Sequence, residues 1–319
     1  MKKENSIMQF TELLGTWMKD KQAYRLKRRT YLRYEEIIRT QISPSIGKLD
    51  TGELTVPILQ SFQRQKLTDG NIVTGKALAS NTVKNMMSIV RNAIDYGREL
   101  GVPVCDTRQV VPLKFEEKQI TAFRKDEQKR IEKAVLESKK PNHFGIVLCL
   151  YTGLRLGELL ALTWDDIDFH SGVLTVNKTS CVLKEDGAYK IHVDRPKTDS
   201  SVRVIPIPKP ILAELRSMRK NSRAEYVIST CHGGRVSNRS YQTTYAKILT
   251  RARVDYKNFH VLRHTFATRA LECGTDIKTL SELMGHKSPV ITMNRYVHSL
   301  METKRKAMNA LAKTLNFGK

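Results

Sequence analysis

The chain has 319 residues, 40% hydrophobic and 27% charged, the composition of a folded protein long enough for about two domains. Lys and Arg number 55 against 32 Asp and Glu, a net charge of +23, and such an excess implies a polyanionic partner, nucleic acid before an anionic membrane surface. No apolar run approaches the roughly 20 residues of a membrane helix, and the opening MKKENSIMQF has no apolar stretch behind its lysines, so a membrane protein or a secreted one is not expected and the cytoplasm, at the nucleoid, is.

The first hundred residues read as helices. MQFTELLGTWMKDK places Phe10, Leu13, Leu14 and Trp17 on one side at helical spacing. Thr30 can cap a second helix, YLRYEEIIRT, expected to stop before Ser43-Pro44. Thr55 can cap a third, with Pro57 in its first turn, and Ser80 a long fourth closed by Gly101. Residues 1–102 are therefore expected to form a small helical domain with basic outer faces. Residues 103–122 lack periodicity and read as a linker, and Thr121 or Asp126 can begin the next helix, DEQKRIEKAVLES.

The second domain is expected over 123–300. HFGIVLCLYTG reads as a central apolar helix and LRLGELLALTW as another after the break at Gly153. GVLTVNK, AYKIHVDR and SVRVIPIP are short, β-branched and separated by the turn signals EDG and PKTDS, which predicts a three-stranded antiparallel sheet between helices. The chain then returns to helices, ending in a tail over 301–319 with Met301, Met308, Leu311 and Leu315 on roughly one face. The expected class is mainly α with a small antiparallel sheet. Cysteines at 105, 149, 181, 231 and 273 include no CxxC pair, so buried, reduced thiols are expected, not a disulfide framework or a zinc site.

Several residues are of types that carry chemistry. Arg155 stands at a helix start, where free N–H groups and a guanidinium fork suit a phosphate, although taken alone the spacing favours an Arg155–Glu158 surface pair. His260 and Arg263 share a helix face in FHVLRHTFATRA, on an otherwise apolar stretch. His260 and His264 have metal-ligand spacing, but the glutamate of HExxH is absent and no metal is expected. Gly285 is expected to end one helix, with His286 in the turn, Ser288-Pro289 starting the next and Tyr296 two turns on. Lys197 lies in the turn PKTDS between Arg195 and Arg203.

The order TGLRLGEL, a hairpin lysine, HxLRHTFAT, LMGH and a tyrosine ten residues later resembles the tyrosine recombinases, also called phage-type integrases. The resemblance covers the second domain nearly end to end. The first domain is similar, with looser motifs, to that family's core-binding domain. It implies that Arg155 and Arg263 clamp the scissile phosphate, with His260, His286 and Lys197 completing the site, Glu158 supporting Arg155 and Tyr296 as nucleophile. The implied reaction is DNA cleavage and rejoining through a 3′-phosphotyrosine, with no cofactor, metal or ATP. A phosphodiester gains a second negative charge in the transition state, so without a metal side-chain cations must supply the counter-charge. The phenolate lies about 4 kcal/mol uphill at neutral pH, so a base is needed, for which His260 is the candidate, with Lys197 the candidate acid for the leaving 5′-oxygen.

Lys84, Arg91, Arg195 and Arg203 are candidate DNA contacts. The resemblance further implies double-stranded recombination sites as partner, a homo-tetramer on synapsed DNA, a basic clamp formed by both domains, a tail exchanged between subunits, and accessory DNA-bending or excision factors. The loop TDGNIVTGKALAS leans towards a mobile-element integrase. The start close to the first helix leaves open an arm-binding domain ahead of it. A type IB topoisomerase and a DNA-binding regulator with a relict site are the competing readings.

Overall fold

The computed structural model describes residues 8–23, 26–71, 74–113, 122–185, 187–195, 201–296, 305, 308–312 and 314–315. The chain divides into two compact units, Met1–Glu117 and Lys118–Lys319. Among the described residues no helix is long and apolar enough to cross a membrane.

The first unit is helical: α1 Phe10–Ala23, α2 Arg28–Ile37, α3 Ser43–Ile46, α4 Val56–Thr68 and α5 Ser80–Glu99. Phe10, Leu13, Leu14 and Trp17 share the buried side of α1, as their spacing predicts, and pack in one core with Leu59, Phe62, Val83 and Val90. α2 ends at Ile37, before Ser43-Pro44 as expected, but the chain stays helical beyond it. A π-helical turn over Ile38–Ile42 follows α2 directly, and the Ser43 N–H donates to the Ile38 carbonyl five residues back. The π turn thus places Pro44 in the first turn of α3, where a missing N–H is harmless. Thr30 lies inside α2, whose N-cap is Lys27. Thr55 and Ala79 occupy the N-cap positions of α4 and α5 without a side-chain cap. At Gly101, with φ of 78°, the Val102 N–H returns to the Gly97 carbonyl at 2.9 Å and closes α5.

The stretch expected as a linker is fastened to the first unit over its described part. Val110 is buried in that core, and the Val110 and Val111 carbonyls accept from Arg91 Nη2 at 3.3 Å and Gln63 Nε2 at 3.2 Å. Thr121 lies outside the described residues.

The second unit is built from α6 Lys125–Glu137, α7 Phe144–Thr152, α8 Leu156–Ala161, α9 Lys209–Asn221, α10 Asn238–Arg251, α11 His260–Glu272, α12 Ile277–Met284 and α13 Pro289–Tyr296, with five strands between α8 and α9. The apolar α7 is buried along its length except at Tyr151, and it packs against α11. The chain enters on Phe123, whose N–H donates to Thr265 Oγ1 at 2.9 Å and whose carbonyl accepts from Arg269 Nη2 at 2.6 Å. Arg269 therefore has structural partners, the Phe123 carbonyl and the Glu272 carboxylate.

The strands depart from expectation. β1 Ile167–Asp168, β2 Val173–Val176 and β5 Arg203–Pro206 form a three-stranded antiparallel sheet in the order β1-β2-β5. β3 Thr179–Glu185 and β4 Ala188–Asp194 form a separate antiparallel hairpin. The predicted strand AYKIHVDR thus pairs with TSCVLKE across the EDG turn, where Gly187 takes a φ of 80°, and not with the other two predicted strands. The fold is mainly helical with small antiparallel sheets.

The β3–β4 hairpin sits on α8 through a glycine. A Cβ at Gly157 would lie 2.6 Å from Thr179 Oγ1 and 2.7 Å from the Ser180 carbonyl, and the backbone oxygen cannot swing away. Gly157→Ala is expected to destabilise the protein by about 1–3 kcal/mol, read as a lowered midpoint in thermal denaturation; an unchanged midpoint would mean the hairpin is not docked there.

The cysteines are unpaired, as expected, but only Cys149 and Cys181 are buried; Cys231 and Cys273 are exposed. Cys273 caps the C-terminus of α11, and Cys231 lies in a turn between α9 and α10. In the tail, Met308, Leu311 and Leu315 are 63%, 49% and 69% exposed; Met301 lies outside the described residues.

Candidate active site

Gly153 ends α7 in the left-handed conformation, with φ of 66°, and sets Arg155 as N-cap of α8. The Arg155 backbone N–H donates to Glu158 Oε2 at 2.9 Å, and its Nη1 donates to Oε1 at 2.7 Å. Glu158 is no surface partner: its side chain is 3% exposed. A second arginine completes its shell, Arg203 Nη2 donating to Oε2 at 2.9 Å and Nη1 to Oε1 at 3.2 Å.

Arg203, expected to face DNA, is buried. Besides Glu158 it donates from Nε to the Leu283 carbonyl at 2.7 Å and from Nη1 to the Ser201 carbonyl at 3.1 Å. It shares the inward side of β5 with Ile205, so the alternation of the strand turns it towards the core.

Arg263 is also buried, at 1% exposure. Its Nη1 donates to the Gly153 carbonyl at 2.6 Å, and its Nη2 to the Met284 carbonyl. Arg155 Nη2 reaches the next carbonyl, that of Gly285, at 3.4 Å. Three consecutive carbonyls at the end of α12, those of Leu283, Met284 and Gly285, are thus each taken by a different arginine. A helix C-terminus leaves its last carbonyls without intrahelical donors and carries the negative end of the dipole, so it gathers cations. The sequence places Arg155, Arg203 and Arg263 far apart; this turn brings them together.

Gly285 is left-handed, with φ of 61°, and hands the chain to His286. His286 Nδ1 lies 2.7 Å from the buried Thr292 hydroxyl of α13, which ties the turn to the helix that ends at Tyr296. The Tyr296 side chain and the whole of Lys197 lie outside the described residues. His260 is exposed at the start of α11; its backbone N–H donates to Asn258 Oδ1 at 3.1 Å and its ring meets His264 edge-on at 4.6 Å. Among the described residues no His, Cys, Asp and Glu group could hold a metal ion. Of the other DNA candidates, Lys84 and Arg195 are exposed and Arg91 is half-buried, held by the Val110 carbonyl. A groove of about 990 Å³ elsewhere in the second unit, lined by Lys139, His143, Trp164 and Arg223 among others, includes none of the candidate residues.

Sequence reasoning missed the role of Arg203 and of the 283–285 carbonyls. The period of SVRVIPIP, which sets Arg203 in phase with Ile205 and Ile207, was a usable signal for the first. Nothing local signals the second.

The electrostatics follow from this packing. Burial pushes the Glu158 carboxyl up, but the hydrogen bonds and charge of Arg203 and the charge of Arg155 outweigh it and hold the group at about 2, against an ordinary 4.5. A carboxyl whose folded value lies below its unfolded one stabilises the fold above the unfolded value and loses that contribution as pH falls. The contribution here, about 3 kcal/mol, is expected to be complete near neutrality and to fade from pH 4.5 down to about 2. Glu158→Gln should flatten the acid limb of a stability–pH curve over that window; superimposable limbs would disprove the link.

The pattern of the phage integrase family matches residues 114–303, and that of the phage integrase N-terminal SAM-like domain matches residues 9–67. A tyrosine recombinase XerC-like protein of Caldanaerobacter subterraneus subsp. tengcongensis is 32% identical over 327 positions, covering 94% of this chain and 82% of the relative. The ICEBs1 integrase of Bacillus subtilis is 26% identical, covering 87% of this chain and 76% of the relative. In fold, the chain is similar to the Tn1549 transposon integrase solved with a circular intermediate DNA, with a TM-score of 0.79 at 22% identity over 96% of this chain and 100% of that one. Fold and matches define an enzyme that exchanges DNA strands site-specifically. The chain belongs to the phage integrase family, the tyrosine recombinases.

Proposed function

We propose that the arginines gathered at the end of α12 form the phosphate site of a recombinase that cuts DNA through Tyr296. The observation that supports this is the convergence of Arg155 and Arg263 on the adjoining carbonyls of Met284 and Gly285, one step before His286. In the free protein those donors rest on neutral carbonyls. A scissile phosphate, carrying full charge, competes for them, since hydrogen bonds to charged acceptors are about twice as strong as neutral ones. Arg155 and Arg263 then counter the charge of the five-coordinate transition state, and His286 adds a donor. His260 accepts the phenol proton as Tyr296 attacks, and Lys197 gives a proton to the departing 5′-oxygen. The phosphotyrosine keeps the energy of the broken bond, so a 5′-hydroxyl from another strand reverses the step.

Recombining two duplexes requires four strands cut, hence four tyrosines and a tetramer on synapsed DNA. The exposed Met308, Leu311 and Leu315 fit a tail that leaves its own subunit for a neighbour. The likenesses to an integrase named for ICEBs1 and to a transposon integrase favour a mobile element over chromosome-dimer resolution, and accessory DNA-bending or excision factors fit that setting. Exposed Lys84 and Arg195 are retained as DNA contacts.

The test begins with junction sequencing in cells to identify the crossover site. A duplex of that site nicked beside the scissile phosphate should then trap the purified protein as a detergent-resistant covalent adduct, and two such sites should recombine without ATP. Relaxation of supercoiled DNA lacking the site, with no recombination, would favour the topoisomerase reading instead.

A further inference from the structure

We propose that Arg203 is a positioning residue for the strand-transfer reaction, acting through Glu158 and the end of α12 on the alignment of Arg155; this rests on the reading of Arg155 and Arg263 as the phosphate clamp. Arg203 touches no position assigned to substrate. It is 5% exposed in its side chain, and its donors go to Glu158, Leu283 and Ser201. Glu158 is bound on one side by Arg203 and on the other by both the backbone and the guanidinium of Arg155. Arg155 in turn reaches Gly285, two residues beyond the carbonyl that Arg203 holds. The result is a closed ring, Arg203 to Glu158 to Arg155 to the 283–285 turn and back.

Each link has a consequence. The Arg203 fork holds both Glu158 oxygens and so fixes the plane of the carboxylate, because the fork geometry of arginine matches a carboxylate in few orientations; Oε1, so placed, is the oxygen that takes Arg155 Nη1. Without Arg203, Glu158 would stay buried beside Arg155 alone and draw that guanidinium further from its phosphate-binding duty. The Leu283 carbonyl would lose its donor, freeing the turn that carries His286. Arg203 also opens β5, so one buried side chain ties the start of that strand to Glu158 and the end of α12. A misplacement of about 1 Å among groups that stabilise a transition state is enough to cost on the order of 10²-fold in rate.

The experiment compares single-turnover cleavage of the nicked crossover duplex bearing either an ordinary phosphodiester or a methylphosphonate at the scissile position. Methylphosphonate lacks the negative charge, so cleavage of it depends far less on a well-aligned cation. Arg203→Met is expected to cleave the phosphodiester about 10²-fold more slowly than wild type, with DNA affinity unchanged, and to lose less than about tenfold on methylphosphonate. Arg155→Ala should show the same pattern. Arg203→Lys keeps the charge and bulk but cannot bridge Glu158 and Leu283 together; it should show a smaller loss with the same dependence on substrate, which keeps the test open if the methionine variant folds poorly. Equal losses on both substrates in both variants, or no loss, would overturn the assignment while leaving the recombinase reading intact. Failure of the wild type to form an adduct on either substrate would overturn both.

Discussion

Tyr296→Phe should abolish the covalent protein–DNA adduct and every recombinant product while leaving binding to the crossover site intact. The expected loss of cleavage is on the order of 10⁶-fold, the scale on which an enzyme that loses its nucleophile declines. The change removes one oxygen atom, at the last residue of α13, and the helix is anchored elsewhere: Thr292 is fully buried and bonded to His286. A collapse of the fold is therefore not expected, and an unchanged melting temperature is part of the prediction. A persisting adduct in the variant would show that another side chain attacks. Recovery of activity on mixing Tyr296→Phe with a variant lacking an arginine of the clamp would show instead that tyrosine and arginines are supplied by different subunits.

The parts of this protein that were legible in its sequence are those whose causes are local. The face formed by Phe10, Leu13, Leu14 and Trp17, the buried α7, and the turns at Gly101, Gly153 and Gly285 each follow from spacing or from a glycine that takes positive φ. The motif order was enough to name the family. What escaped depends on pairing over distance. TSCVLKE has no strict alternation, and only its partner AYKIHVDR across the EDG turn makes it a strand. The π turn that carries the helical path from α2 into α3 past Pro44 has no sequence signature. Its place beside Lys197 makes Arg203 a candidate DNA contact, yet in β5 Val204 and Pro206 are the exposed residues and the arginine is buried with Ile205. Its partner, Glu158, lies 45 residues away, and no periodicity links the two.

Arg155→Ala and Arg263→Ala should both disable cleavage yet differ sharply in stability. Each removes a forked cation from the developing charge of the transition state, and the loss of one such preorganised donor costs about 10²–10³-fold in rate. The difference lies in what each arginine does in the absence of DNA. The Arg155 side chain is 35% exposed, and when it is removed Glu158 keeps the two bonds from Arg203 and the backbone bond at residue 155; the fold should hardly notice. Arg263 is 1% exposed and holds the carbonyls of Gly153 and Met284, the ends of α7 and α12. Truncating it strands both, at about 1–3 kcal/mol for each buried group left without a donor, and opens a cavity between α11 and the two helix ends. In a unit of this size that corresponds to a fall in melting temperature on the order of 10 °C. Calorimetry on the two variants beside single-turnover cleavage separates the roles: equal melting temperatures would mean that the two carbonyls find other donors, and that Arg263 is a ligand for phosphate without also being a brace for the fold.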